Sequence, residues 1–321
     1  MNHFLSRIGR STFGRHFMPT LSCATFAGYL GFHTISHDLI RKLFVAQGPD
    51  GRPAQISDYL RDIITEVFGE VEQAGFHADV FKLKNFTCPQ PVIRWFASST
   101  LDPIVYGMTD FATGVSIGVP NSYNYQKPDD LPDSVFVVKK LAIVRSPQGR
   151  EREQQDQQQQ IADDEVLLEK REREPTVLVR KIDKNSEEGQ EYIDSLLLSE
   201  KAKRFSIARE LYVADSYRPL LHSIVVAIAP TAAITTSRAY VHTLKLKDHH
   251  ISHRLPGYFL AGVLGYGLYT LLSDAIEEYI AKKANGRAKA MGENYVAGAE
   301  EYFKKQVIRD RILGIASKKI M

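Results

Sequence analysis

The chain has only two cysteines in 321 residues, Cys23 and Cys88, and they form no CxxC pair. Two separated thiols exclude both a disulfide framework and a thiolate metal site within one chain. The formal charge is only +3 and no basic stripe alternates with aromatic residues, so nucleic acid is not a predicted partner. Gly114 and Gly118 belong to neither a GxGxxG fingerprint nor a P-loop. We therefore predict no cofactor and no small-molecule substrate.

Acidic residues are absent before Asp38, whereas Arg7, Arg10 and Arg15 are spread through the first 17 residues. With their serine and threonine neighbours, residues 1–17 have the composition of a mitochondrial targeting segment. The basic flank of a first membrane span has a similar composition, and this alternative stays open. The composition favours a mitochondrial location.

Formal charge is also absent from three runs that are long enough to cross the hydrocarbon core of a bilayer. These runs are residues 18–37, 219–237 and 255–273. Glycines in the third run predict close packing against the second; they are Gly257, Gly262, Gly265 and Gly267. The slightly negative mean hydropathy excludes a transporter with many spans. We predict three transmembrane helices that anchor one soluble domain to the lipid bilayer.

The soluble domain is predicted to be α+β and to occupy residues 38–218. Apolar residues at helical spacing between Ile56 and Val67 predict a helix that Ser57 or Asp58 caps. Runs rich in β-branched and aromatic residues between residues 76 and 144 predict a small sheet packed on the helices.

Three further segments complete this domain. Residues 195–216 predict an amphipathic helix with one buried stripe that leads directly into the second span. Residues 145–174 are charged, rich in glutamine and free of aromatics, which predicts a disordered insertion. Residues 274–321 predict a helical C-terminal segment that packs on the soluble domain.

The orientation follows from basic residues close to the spans. The loop at residues 238–254 has four basic side chains against Asp248 alone; they are Arg238, Lys245, Lys247 and Arg254. Under the positive-inside rule this loop and the N-terminus share one side, which is the matrix in mitochondria. The soluble domain and the C-terminus are then predicted in the intermembrane space.

Histidines are the only candidate metal ligands that cluster. His33 and His37 are four residues apart, so they would share a helix face, but no third ligand besides Asp38 is apparent. A second group lies in the 238–254 loop and contains His242, His249, His250 and His253. The ordinary interpretation, histidines at a membrane boundary and in a soluble loop, is preferred, and no metal site is predicted.

Three strings are specific in combination, together with the hairpin of two spans: SEKAKRFSIARELYVADS at 199–216, GVPNSY at 118–123 and AGAEEYFKKQVIRDRILG at 297–314. In these features, which cover most of the chain, it resembles the transmembrane protein 177 family of the mitochondrial inner membrane. The insertion at residues 145–174 departs from the shorter family pattern. What the resemblance implies is an assembly role with two partners, cytochrome c oxidase subunit 2 and the membrane chaperone that holds this subunit before copper is inserted.

The architecture is also similar, more faintly, to membrane zinc peptidases of the HtpX type. These have HExxH on a helix, then a hairpin of two spans, then an ExxxD motif that supplies the third ligand. The slot that resembles HExxH reads Arg209-Glu210-Leu211-Tyr212-Val213, and the slot that resembles ExxxD runs from Asp274 to Glu278. Arginine and valine cannot replace the two histidines as zinc ligands. The resemblance therefore implies a degenerate metallopeptidase, with no catalytic residue.

The same slots suggest an ion pair in place of zinc. If the second and third spans lie side by side, Arg209 beside Glu210 would face Asp274 or Glu278 and hold the two helices together. The preferred function is a non-catalytic assembly factor or scaffold. The alternatives are a membrane-bound hydrolase with displaced ligands, such as His222 or the loop histidines, and a metal-delivery protein that uses the histidines.

Overall fold

The computed structural model describes residues 12–48, 51–75, 93–109, 114–131, 137–142, 176–246 and 249–314. Most of the targeting-like segment 1–17 and all of the predicted insertion 145–174 lie outside the described residues, as does Cys88. The helices are α1 (Thr12–Ile35), α2 (His37–Phe44), α3 (Asp58–Gln73), α4 (Glu187–Leu196), α5 (Glu200–Ala214), α6 (Arg218–Thr243), α7 (Leu255–Ala290) and α8 (Glu293–Leu313). The strands are β1 (Ile93–Ser98), β2 (Ile104–Gly107), β3 (Val115–Pro120), β4 (Val137–Ala142) and β5 (Thr176–Lys181).

The strands form two small sheets. In the first, β3 is central; it pairs in parallel with β1 and antiparallel with β2, so that β2 is an edge strand. The second sheet is the antiparallel pair β4 and β5, which flanks residues 143–175. The predicted mixture of helices with a small sheet is therefore confirmed.

Serine side chains start three helices of the soluble domain. Ser57 accepts a hydrogen bond from the backbone N–H of Leu60 at 3.3 Å, as predicted for the start of α3. Ser186 and Ser199 accept in the same way at the starts of α4 and α5. Each cap satisfies one of the N–H groups that a helix leaves without an intrahelical partner.

Helix α5 is the centre of the core. Its apolar side chains pack against α3, α7, α8 and the three-stranded sheet, and those that are completely buried include Ala202, Phe205, Ile207, Ala208 and Leu211. The prediction of a single buried stripe is wrong, because Lys203, Ser206 and Glu210 are buried as well. Neighbours from distant parts of the chain thus cover most of α5 after its exposed first residues, Glu200 and Lys201.

Two helical segments among the described residues are long and apolar enough to cross a membrane. They are α6 at Arg218–Thr243 and the stretch Ile251–Ala290, which contains α7. The count of three spans is corrected to two, because the polar residues of α1, such as His33, make that helix less apolar. Helix α1 still lies antiparallel against α6, where Ser22 and Thr231 are hydrogen-bonded at 2.6 Å.

Glycines allow α6 and α7 to approach closely. A Cβ atom at Gly257 would lie 2.1 Å from the ring of Tyr240, and one at Gly265 would lie 2.7 Å from Cβ of Ala233. Gly262 and Gly267 have nothing within 4 Å of the same position. The predicted packing of small residues against the second span is confirmed for Gly257 and Gly265. Helix α7 then continues without a break to Ala290, past the predicted end of the span at residue 273.

Candidate functional site

A cavity of about 340 Å³ lies where α1, α5, α6, α7 and β2 meet. It lies at the junction of the soluble domain with the two candidate spans, since α5 is in the domain core and α6 starts only four residues after α5 ends. Its charged and aromatic lining residues are Tyr29, His33, Tyr106, Arg209, Glu210, Arg218, His222, Tyr269 and Glu277. The number of ionisable side chains distinguishes it from the other cavities that the described residues form.

Arg209 and Glu210 are the contribution of α5 to this cavity. Nη1 of Arg209 donates to the carboxylate of Glu210, and Nε donates to Oδ1 of Asn285 on α7 at 2.9 Å. The Glu210 side chain is only 5% exposed. Burial raises the pKa of Glu210, and the adjacent Arg209 only partly opposes this. Burial acts to lower the pKa of Arg209, but the Glu210 carboxylate together with other nearby groups such as Tyr302 and Asp102 outweighs it, so the pKa is raised overall and the guanidinium stays charged.

A second charged cluster joins α6 to α7 in the same cavity. Arg218 donates from Nε to Oε1 of Glu277 at 2.8 Å, and Nε2 of His222 lies 2.9 Å from the same oxygen. Tyr29 of α1 lies beside this cluster, with its ring centroid 6.4 Å from that of His222. The Glu277 carboxylate thus contacts both the Arg218 guanidinium and the His222 ring, at the end of the candidate spans that is nearest to the domain.

The edge strand β2 forms a further wall. Five consecutive residues, Pro103 to Gly107, line the cavity. Successive side chains of a strand point to opposite faces, so a run of neighbours lines a cavity when the strand presents its edge. Backbone groups of β2 thus adjoin the charged side chains.

The structure brings together only part of the predicted site. Arg209, Glu210 and Val213 line the cavity as expected, and α7 lies against α5. The proposed ion pair needs correction, because Arg209 has Glu210 and Asn285 as its partners instead of Asp274 or Glu278. Asp274 and Glu278 are exposed.

The reason is the orientation of α7. Its packed face contains Ile280, Ala281, Ala284 and Ala288, and Glu277 precedes these residues at helical spacing. Glu277 therefore points into the cavity, one residue away from the predicted Glu278. The sequence signal for Glu277 is this apolar stripe, which sets the face that α7 turns toward the cavity.

The predicted histidines separate into different places. His33 lines the cavity, whereas the side chain of His37 lies outside the described residues. In the loop, the rings of His249 and His253 make an edge contact with centroids 5.9 Å apart. Among the described residues, no three His, Cys, Asp or Glu side chains are placed to share a metal ion.

Sequence comparison found relatives that match about 90% of the chain. It is 24% identical over 293 residues to Transmembrane protein 177 of Xenopus laevis, which covers 91% of this chain and 77% of that protein. It is 22% identical over 288 residues to Transmembrane protein 177 of Danio rerio, with 90% and 76% covered. For Transmembrane protein 177 of Homo sapiens the values are 21% over 287 residues, with 88% and 74% covered.

Two further comparisons gave no match. No protein-family model matches the chain, and no solved structure matches it. The resemblance to membrane zinc peptidases is therefore without support from a solved structure and stays a hypothesis.

Proposed function

Because the chain belongs to the transmembrane protein 177 family, we propose that it is a non-catalytic assembly factor of the mitochondrial inner membrane. The relatives and the two apolar helices identify a membrane protein. The proposed clients are those that the family resemblance implies, cytochrome c oxidase subunit 2 and the membrane chaperone that holds it.

The pairing of Arg209 with Glu210 is the observation that best supports a non-catalytic role. Hydrolysis by a bound metal needs ligands with lone pairs and a carboxylate that is available as a general base. The side chain of Val213 has no lone pair to offer a metal, and the guanidinium of Arg209 places a fixed positive charge in the cavity. The Glu210 carboxylate accepts a hydrogen bond from that guanidinium. The charge of Glu210 is therefore already balanced inside the protein.

The packing of α8 on α5 supports the proposed topology. Residues on both sides of the α6–α7 hairpin form one core, which supports a topology in which the soluble domain and α8 share one side of the membrane. The basic loop at residues 238–254 would face the matrix and the domain would face the intermembrane space. Protease treatment of mitochondria tests this directly. We expect the domain to be cleaved once the outer membrane is ruptured, and protection until the inner membrane is dissolved would reverse the orientation.

Pulse labelling of mitochondrial translation products tests the assembly role. Cells that lack the protein should lose newly made subunit 2 faster than cells that contain it, and the expressed chain should coprecipitate with that subunit. Rescue by Glu210→Gln to the level of the unmodified chain separates a scaffold from a hydrolase, because a general base is essential only to the latter. Failure of this variant to rescue, with its fold and expression intact, would favour the hydrolase. Stoichiometric zinc in the purified protein by elemental analysis would do the same.

A further inference from the structure

A second cavity, of about 250 Å³, lies at the α5–α6 junction against the last third of α7. It is separate from the cavity around Glu210 and shares only Ile280 with it. Its lining combines aromatic, apolar and basic side chains, namely Tyr212, Tyr217, Leu221, Tyr279, Ile280, Lys283 and Arg287, with Asp215 and Ser216 at the turn. Neither the family nor the proposed function accounts for it.

The lining changes from apolar to basic along α7. Tyr279, Lys283 and Arg287 follow one another at intervals of four residues, so they share one face of the helix. Tyr279 lies 24 residues after Leu255, which is about 36 Å of helix. If Leu255 starts the hydrocarbon core, Tyr279 lies at the level of the lipid headgroups, where tyrosines are enriched. Side chains lean toward the N-terminus of a helix, so Lys283 extends back toward the membrane.

The basic end of the cavity has an excess of positive charge. Arg287 lies 3.6 Å from the buried carboxylate of Asp215, and its guanidinium is 5.7 Å from the ring centre of Tyr212. These contacts hold Arg287 in place and balance one positive charge. Lys283 is exposed and adds a second positive charge, which none of the ion pairs among the described residues neutralises. The start of α6 adjoins the same space, and the N-terminal end of a helix favours an anion.

The apolar end of the cavity is the end nearest to the candidate spans. Leu221 and Tyr279 line it, and Tyr279 is 61% exposed. Closer to the start of α7, large apolar side chains such as Leu271 are exposed as well. An occupant with a charged head and an apolar tail would therefore fit the polarity of this site along its length. A free inorganic anion would leave the apolar end unused.

We propose that this cavity binds the headgroup of an anionic phospholipid, with the phosphate between Lys283 and Arg287 and the acyl chains along α7. Basic pockets between membrane helices recognise such headgroups through their phosphate. The net positive charge favours anionic lipids over zwitterionic ones. The site would fix the depth of the α6–α7 hairpin in the bilayer.

The test uses the purified full chain in detergent, titrated with phosphatidylglycerol, phosphatidylcholine or inorganic phosphate, with bound lipid counted by native mass spectrometry. We expect tighter binding of phosphatidylglycerol than of phosphatidylcholine. Lys283→Gln should weaken phosphatidylglycerol binding about fivefold, the factor that corresponds to about 1 kcal/mol. Lys283→Arg keeps the charge and should retain binding. Lys282→Gln is the matched control, because Lys282 is exposed on the same turn but does not line the cavity.

Several outcomes would overturn the proposal. If Lys282→Gln weakened phosphatidylglycerol binding as much as Lys283→Gln, the overall charge of the protein would attract the lipid and no specific site would be needed. Equal affinity for the two lipids would remove the preference for an anionic headgroup. Displacement of phosphatidylglycerol by millimolar inorganic phosphate would identify a site for free phosphate. Because the assay measures lipid alone, its result does not depend on the proposed assembly function.

Discussion

Arg218 at the start of α6 and Glu277 on α7 form an ion pair, with Nη2 and Oε1 separated by 2.7 Å. The pair connects the two candidate spans at their domain end, whereas Gly257 and Gly265 allow close contact farther along the hairpin. His222 shares the same carboxylate oxygen. The hairpin is thus held by charge near the domain and by backbone proximity within the membrane.

Exchanging Arg218 and Glu277 for glutamine, singly and together, should reveal a small coupling energy. Both side chains are about one third exposed, at 35% and 37%, so solvent screens their attraction. We expect a coupling of about 0.2–1 kcal/mol from urea unfolding of the four proteins in detergent. A coupling near zero would mean that the pair does not hold the hairpin together.

Removing Arg209 should destabilise the protein more than removing the charge of Glu210. Arg209→Met leaves the Glu210 carboxylate buried without its cation, and breaking such a pair typically costs about 3–5 kcal/mol. Glu210→Gln keeps a hydrogen-bond acceptor for Arg209 and should cost less. Thermal unfolding at pH 7.5 compares the two variants.

Arg209→Met should also change how stability depends on pH. The pKa of Glu210 is raised by burial and should rise further without Arg209, so the folded Met variant prefers a protonated carboxyl. Stability that depends on a raised carboxyl pKa is present at low pH and is lost as the pH rises above the unfolded value. Arg209→Met should therefore recover part of its stability at pH 5. The double variant with Glu210→Gln should lack this recovery, and its persistence there would assign the effect to another group.

Gly298 allows α8 to touch the backbone of α5. A Cβ atom at this position would lie 2.2 Å from the carbonyl oxygen of Lys201, which cannot move without shifting α5. Gly298→Ala should lower the free energy of unfolding by about 1–3 kcal/mol. Gly286→Ala is the control in the neighbouring helix α7, since nothing lies within 4 Å of its Cβ position. Gly286→Ala should leave the free energy of unfolding unchanged or raise it by about 0.5–1 kcal/mol. A similar decrease in both variants would refute the steric explanation.

Local signals in the sequence predicted much of this fold. The start of α3 followed from Ser57 and the helical spacing after it, and the runs at Ile104 and Val115 became β2 and β3. These features depend on neighbours within a few residues. The burial of α5 on more than one face did not follow from its own sequence, because α3, α8 and the sheet that pack on it are remote along the chain.

The site was predictable to the extent that one helix defines it. Arg209, Glu210 and Val213 follow from the resemblance of one stretch of α5 to an HExxH motif, which a single helix is enough to define. Glu277 was missed because the face that α7 turns toward α5 depends on how the two helices cross, which a single sequence does not specify. The position of β2 at the edge of the sheet could not be predicted either, because strand order depends on how the whole sheet assembles.

The buried Lys203 should make stability increase with pH over a defined window. Lys203 is only 1% exposed. Its Nζ donates a hydrogen bond to the backbone oxygen of Tyr125 at 3.0 Å and lies 5.1 Å from the ring centre of Tyr59. Burial lowers the pKa of Lys203 to about 8, which the nearby Glu200 only partly opposes. Between pH 8 and 10 the unfolded chain then binds more protons than the folded one, so the free energy of unfolding should rise with pH. The full effect would approach about 3 kcal/mol at the ordinary lysine pKa.

Lys203→Met should remove this pH dependence, whereas Lys201→Met should retain it, because Lys201 is exposed two positions earlier in α5. Urea unfolding at pH 7, 8, 9 and 10 measures the slope for the three proteins. The window ends near pH 10 because buried tyrosines such as Tyr123, whose pKa burial raises, act in the opposite direction at higher pH. The same slope in Lys203→Met and in the unmodified chain would show that Lys203 is not the group that titrates.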